Sequence, residues 1–361
     1  MKYSRALAAV AGTVLVAGLA AGCGGGSSDG TASSAGGGGA SASGDAGGQK
    51  KDLVVGVSNT LAGNGWRETM ICSIKAQALA SGQVSKVVVV SKNGGPTEQI
   101  QDLQNLVSQG VNILIVNPSD PEKLNSIIAE ATKQGITVVA VDSSVTAPEA
   151  YVVTNDQVAW GKLEMEALAK MIGGKGEVLY MRGIQGVQAD TDRDTGVQEV
   201  IKANPDIKLK EVWTGWDYTK GGEIAVQEFT AKQYDAVWTS GTDYTAVNAI
   251  KTAGKNPVPV GGQESNEFVK QLSEGTPGVM VTNPAVIGGA ALTVALKVVN
   301  GEKVDKDFKI TPKVYTSKDN AAELKAMYVP DKDQTYNATV SIDGLTTYTK
   351  DQLMACKGPG E

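Results

Sequence analysis

The chain contains no histidine at all. Imidazole is the usual general base of Ser-His-Asp and Cys-His catalysis and the commonest ligand of zinc and iron, so those chemistries drop out at once. Positive charge is also in deficit: 33 Lys and Arg stand against 39 Asp and Glu, a net −6. That sign is wrong for a protein that grips nucleic acid through its phosphates. Cysteine is scarce, with three in 361 residues. The apolar stretch at residues 6–21 falls short of the ~20 residues a bilayer-spanning helix needs.

The N-terminus reads as an address. Lys2 and Arg5 precede the apolar stretch, and small residues lead up to Cys23, the three parts of a secretory signal over residues 1–22. Ala20-Ala21-Gly22-Cys23 is similar to a bacterial lipobox, although the usual leucine at its first position is missing. The resemblance implies that Cys23 is lipidated and becomes the first mature residue; an uncleaved anchor is the alternative. Loss of Lys2 and Arg5 leaves 31 basic against 39 acidic groups, a net −8. Residues 23–49 that follow are Gly, Ser and Ala with almost nothing to build a core, the composition of a flexible tether. The folded part is therefore expected outside the cytoplasm, held to the cell membrane by a lipid. In an exported protein the two remaining cysteines, Cys72 and Cys356, are expected to pair, tying a first-helix position to the C-terminal tail. Two separate buried thiols are the other possibility.

From residue 53 short β-branched runs alternate with helical stretches. Strands are predicted at 53–57, 86–90, 112–116, 137–141 and 151–153, then at 177–181, 208–213, 236–238, 258–260 and 278–281. Helices are predicted at 66–80, 97–109, 121–134, 160–172, 187–203, 220–231, 244–253, 264–273 and 285–300. Continuous apolar runs such as VVVV and ILIV suit strands covered on both faces, as in parallel sheets. Ten strands are too many for one comfortable sheet, so the pattern implies an α/β protein of two Rossmann-like lobes. In such sheets ligands lie beyond the carboxyl ends of the strands. Those ends carry amides, carboxylates, hydroxyls and tryptophans, among them Asn64, Trp66, Asn117, Asp142, Trp216, Asp243 and Gln263. Carboxylates and amides match pairs of hydroxyls, and flat aromatic faces match C–H surfaces, so a polyhydroxylated ligand is indicated.

The segments LIVNPSDPEKLNSIIAEATKQGITVVAVDSS, VVTNDQVAWGKLEMEAL and RGIQGVQADTDRDTGVQEV occur in this order. In their order and spacing the chain resembles the type I periplasmic binding proteins, the ribose-binding-like receptors of ABC importers, over roughly residues 52–315. The resemblance implies a monosaccharide captured between two hinged lobes and presented to permease subunits, with no catalytic residue, cofactor or metal, and a monomeric receptor. It places residues 50–154 plus 283–311 in the N-terminal lobe, 155–282 plus 312–345 in the C-terminal lobe, and 346–361 in a tail. Three crossings of the chain are expected, near 153–156, 282–284 and 309–314.

Carried over position by position, Asp142 matches a carboxylate that takes sugar hydroxyls, although Ser143 stands where pentose-type sequences have arginine. Arg193 matches a second-lobe arginine, Trp216 an aromatic that stacks on the sugar, and Asn117 the asparagine of N-P-x-D. Asn64 and Trp66 fall where an asparagine and an aromatic are placed. Thr242-Asp243 replaces Asn-Asp, Gln263 replaces a common aspartate, and Thr282 or Asn283 replaces a glutamine. Blander roles compete: Arg193 paired with Asp190, Asp192 or Asp194, Trp66 and Trp160 as packing, Asn117 as loop scaffold, and the run 190–194 as a solvated face. An enzyme reading would need two facing carboxylates about 5–9 Å apart, and only Asp142 and Asp243 qualify. A repressor core would need a DNA-binding segment where the signal and tether stand, whereas an anchored receptor that presents a sugar, a non-sugar or a signalling molecule to a sensor stays open beside the importer reading. Residues 316–361 show one short helix signal, at 321–327, and are expected to wrap back over a lobe.

Overall fold

The structure is a computed structural model that describes residues 52–361; the expected signal, Cys23 and the tether lie outside them. Two six-stranded sheets, each covered by helices on both faces, account for most of it. The first lobe is built from β1 (Leu53–Asn59), α1 (Gly65–Ser81), β2 (Val84–Ser91), α2 (Pro96–Ser108), β3 (Ile113–Val116), α3 (Asn125–Lys133), β4 (Thr137–Val141) and β5 (Tyr151–Asn155). The chain then crosses to α4 (Gln157–Met171), β6 (Gly176–Arg182), α5 (Gln188–Ala203), β7 (Ile207–Trp213), α6 (Tyr218–Ala231), β8 (Ala236–Thr239), α7 (Asp243–Thr252), β9 (Val260–Gly262), α8 (Asn266–Ser273) and β10 (Gly278–Val281). It returns for α9 (Ile287–Val299) and β11 (Asp307–Ile310), crosses again to β12 (Val314–Thr316) and α10 (Ala321–Met327), and ends with α11 (Lys350–Ala355).

The strand order is β11-β5-β4-β3-β1-β2 in one sheet and β12-β10-β9-β8-β6-β7 in the other. All pairs are parallel except β10 with β12. The apolar runs of the sequence are the reason: β3 is buried at every position, so both of its faces need helical cover. The two sheets are therefore each lined by two apolar clusters, one per face.

Several boundaries differ from the sequence reading. Residues 121–124 form a turn before α3, because Asp120 Oδ1 accepts from the N–H groups of Glu122 (3.0 Å) and Lys123 (2.9 Å). β9 begins at Val260 rather than two residues earlier, since Pro259 has no N–H to give a ladder. It runs instead into Gly261 and Gly262, where a Cβ would come within 2.3 Å of Glu164 and Asp243 side chains. α4 starts three residues early, capped by Asp156, whose Oδ1 accepts from Ala159 N–H at 3.1 Å. β11, β12 and α11 carried too short a pattern to be read.

The C-terminal residues make a fourth link between the lobes. α10 packs on α8, and Asn266 binds the backbone of Val329 and Lys332, all on the second lobe. Past Ala338, whose N–H donates to Glu264 O at 2.8 Å, the chain moves to the first lobe. There Thr347 N–H donates to Gln77 (2.9 Å), Thr293 Oγ1 donates to Leu345 O (2.6 Å), and Cys356 is bonded to Cys72 in α1. The bond closes a separation of 284 residues. A cross-link of that span restricts the unfolded chain strongly, so Cys72→Ser with Cys356→Ser is expected to lose about 2–5 kcal/mol of stability. Scanning calorimetry of the double variant, and of the parent with and without reductant, checks this; coincident transitions would remove the bond from the stability account.

Candidate functional site

One cavity is walled by both lobes. Leu61, Asn64, Trp66, Arg67 and Asp142 come from the first, and Arg193, Trp216, Ser240, Gly241 and Gln263 from the second. Asn283, on the crossing between β10 and α9, joins them. Most of these residues follow directly on a strand or open the helix after it, where parallel sheets leave their crevice. The cavity that these side chains leave is about 30 Å³, well below the roughly 300–1,000 Å³ of open small-molecule sites, because the two lobes meet across it.

Two non-glycine residues of this wall have left-handed backbone, Asp142 at φ 69° and Trp216 at φ 55°. Such conformations cost an L-residue about 1–2 kcal/mol and persist where the surroundings over-determine them. The surroundings do so here. The Trp216 ring lies so close to Gly183 that a Cβ there would sit 2.1 Å from it, and Trp216 Nε1 donates to Ser240 Oγ at 3.0 Å. Asp142 accepts from Gln157 Nε2 (3.1 Å) and Asn117 Nδ2 (3.4 Å).

Arg193 is positioned by a helix crossing that only glycine permits. A Cβ on Gly161 of α4 would fall 2.2 Å from Arg193 O, and one on Gly196 of α5 would fall 2.1 Å from Val158 O. The guanidinium lies over the Trp160 ring, 4.2 Å from its centroid, and donates to Gln157 Oε1 (2.8 Å), Ser240 O (3.2 Å) and Ser240 Oγ (2.9 Å). Arg67 donates to Asn59 Oδ1 at 2.9 Å and lies over the Trp216 ring from the other lobe. Burial lowers the pKa of both arginines, against the pull of Asp142; burial raises Asp142, against the pull of Arg67 and Arg193.

Apart from Arg67 over Trp216, the lobes touch through neutral groups. Asn64 caps α1 by accepting from Arg67 N–H (3.1 Å), and its Nδ2 donates across the gap to Trp216 O (2.9 Å). Trp66 Nε1 donates to Asn283 O at 2.6 Å. The Asn283 carboxamide meets Asn155 (2.7 Å), Gln157 (3.2 Å) and Gln263 (3.0 Å).

Of the nine positions proposed from sequence, the structure brings Asn64, Trp66, Asp142, Arg193, Trp216, Gln263 and Asn283 to this wall. Asn117 stands behind Asp142, and Asp243 behind Gln263, accepting from Gln263 N–H (3.0 Å), Tyr244 N–H (2.7 Å) and the Ser265 hydroxyl. Asp142 is thus the only carboxylate on the wall among the described residues. Arg67, Ser240 and Gln157 were missed. Arg67 sits one place after Trp66, yet the helix turn brings both to the cavity, and Gln157 follows the Asn-Asp that ends β5 without any motif of its own. The run 190–194 is not a solvated face: Asp190 is 1% exposed and binds Arg182 Nε (3.1 Å) and Nη2 (2.5 Å). Asp194 also pairs with Arg182, at 3.3 Å, which leaves Arg193 to the cavity. Trp160 and Trp238 are fully buried and packed edge to face, 5.6 Å between centroids.

Behind the wall lies a layer of buried carboxylates. Burial drives Glu164 well above the usual range, while Asp243 and Glu264 are each pushed up to about 7. A carboxyl raised in the fold ionises first in the unfolded chain. Between about pH 4 and pH 7 the unfolded state therefore loses protons that the fold keeps, and stability falls as pH rises, by up to about 1.4 kcal/mol per unit and group. Asp243→Asn removes its share of that slope, so the variant gains on the parent from pH 5 to pH 7 in denaturant unfolding. Parallel curves would place Asp243 in a solvated setting.

The periplasmic binding protein domain model matches residues 55–303. A ribose import binding protein of Haemophilus influenzae is 26% identical over 246 residues, 66% of this chain and 84% of that protein. A xylitol-binding protein of Mycolicibacterium smegmatis is 29% identical over 273 residues, 73% of this chain and 76% of that protein. Among solved structures, an ABC transporter solute binding protein from Thermobispora bispora superposes with a TM-score of 0.73 at 26% identity, covering 84% of this chain and 94% of that one.

Proposed function

The chain belongs to the periplasmic binding protein family, and from that premise we propose that it is an extracytoplasmic receptor for a monosaccharide or similar polyol, which it captures between its two lobes and delivers to the permease of an ABC importer. The observation that carries the reading is the polar cavity walled by both lobes and lined by strained Asp142 and Trp216. Trp216 and Trp66 offer flat faces, Asp142 accepts hydroxyl protons, and Gln263, Asn283 and the two arginines donate to hydroxyl oxygens. A ligand touching both lobes at once favours the closed arrangement, which is the form a permease can tell from the open one. The relatives that bind ribose and xylitol support a small polyol, and a wall with one carboxylate supports binding without glycoside hydrolysis. The signal at 1–22 and lipid at Cys23 would hold a monomeric receptor beside its permease, at the end of the 23–49 tether. No helix among the described residues is long and apolar enough to cross a membrane.

A thermal-shift screen of pentoses, hexoses, deoxysugars and polyols is expected to find at least one that stabilises the protein. With that ligand, Asp142→Ala and Trp216→Ala should each weaken binding on the order of 10–100-fold by titration calorimetry, with circular dichroism unchanged. Unchanged affinity in both variants would sink the cavity assignment, and no stabilisation by any polyol would sink the ligand class.

A further inference from the structure

The charges on the cavity wall do not balance. Arg67 and Arg193 are cationic, Asp142 is anionic, and Gln263 and Asn283 are neutral amides. Both arginines are buried, at 5% and 3% exposure, and among the described residues neither has a carboxylate within the 4.0 Å of an ion pair. What they bind is neutral: Arg193 donates to Gln157 Oε1 and to Ser240, and Arg67 donates to Asn59 Oδ1. Arg67 Nε and Nη2 have no protein acceptor among the described residues. Asp142 is likewise held by neutral donors, Gln157 and Asn117.

The deeper carboxylates act on Arg193, which feels Asp190, Glu164 and Glu264 besides Asp142, and give Arg67 no such support. Asp190 is bound by Arg182, Glu164 accepts from Thr239 N–H (3.1 Å), and Glu264 accepts from Asn283 N–H (2.7 Å) and Thr339 Oγ1 (2.9 Å). The charges acting on Arg67 are Asp142, which favours its cation, and Arg193, which opposes it. A buried cation held only by neutral dipoles remains costly, and an arriving anion offsets that cost.

We propose that the ligand carries one carboxylate, as an aldonic or uronic acid does, with the acid group received by Arg67 and Arg193 and the hydroxyls by Asp142, Gln263 and Asn283. The proposal rests on the polyol-receptor reading and refines it. Arg67 presents a guanidinium edge of the kind that meets a carboxylate with two parallel N–H···O bonds. Arg67, favoured by no carboxylate but the Asp142 that it shares with Arg193, matches a monoanion, whereas a phosphoryl group of about −1.5 to −2 would overshoot next to Asp142.

Titration calorimetry at pH 7 with matched pairs tests this: D-glucose with D-glucuronate, D-galactose with D-galacturonate, D-xylose with D-xylonate, and D-ribose with D-ribonate. In at least one pair the acid is expected to bind about tenfold or more tighter than its neutral partner. Arg67→Gln should bring that ratio close to one, and Arg67→Lys, which keeps the charge without the fork, should retain part of it. Neutral partners binding as tightly as the acids in every pair would overturn the acid preference and leave the receptor reading standing. A preference that survives in folded Arg67→Gln would overturn the assignment of Arg67. Failure of all sugars and all acids alike would overturn both readings.

Discussion

Gln157 keeps two charges apart that would otherwise meet. It opens α4 immediately after the first crossing, and its carboxamide accepts from Arg193 on one side and donates to Asp142 and Asn283 on the other. Were Arg193 and Asp142 in direct contact, a buried ion pair would join the lobes and leave neither charge free for a ligand. A neutral amide in that place holds both side chains in line through single hydrogen bonds, each worth about a kcal/mol or so net. The lobes are thereby coupled weakly at their most polar point. Their hydrogen bonds across the cavity, Asn64 to Trp216 and Trp66 to Asn283, are of the same neutral kind.

The second lobe spends its interior on supporting this arrangement. Gly161 and Gly196 bring α4 and α5 into backbone contact, which sets the height of Arg193 above the Trp160 ring. Asp190 binds Arg182 and accepts from the Gly183 N–H (2.8 Å), fixing the loop on which the Trp216 ring rests. Asp243 holds Gln263 by its backbone N–H, and Glu264 holds Asn283 in the same way. Acidic groups that look superficial in the sequence thus act as internal braces, and they tolerate burial because each has several donors or a guanidinium to accept from.

How much of this was legible depends on the scale of the signal. The strand–helix alternation was written in continuous apolar runs, because a doubly covered parallel strand admits little else, and the two-lobed fold followed. The residues just past the strand ends could be picked out by chemistry and position, which is how Asp142, Trp216, Gln263 and Asn283 were named. Arg67 and Gln157 could not, since each depends on the rotation of a helix whose start was read one to three residues away. The roles of Asn117 and Asp243 turned on depth, one layer behind the wall, and sequence carries no measure of depth. The partners of Arg182 and the fourth link depended on contacts between segments far apart along the chain, where local periodicity says nothing.

That fourth link alters the mechanics of the hinge. A pair of lobes joined near one edge can swing until something else stops them. Here residues 336–338 are bonded to the start of α8 on one lobe, and within twenty residues the chain is covalently fastened to α1 on the other. The tail works as a belt of fixed length: an opening wider than its slack must first strip Tyr336 and Ala338 from Asn266 and Glu264. A receptor with a shortened swing spends more of its time near the gripping geometry even when idle, and apparent affinity scales with that fraction. For any partner that reads such a receptor by its shape, the difference between the empty and the loaded outline is smaller, so that partner has to discriminate on finer displacement.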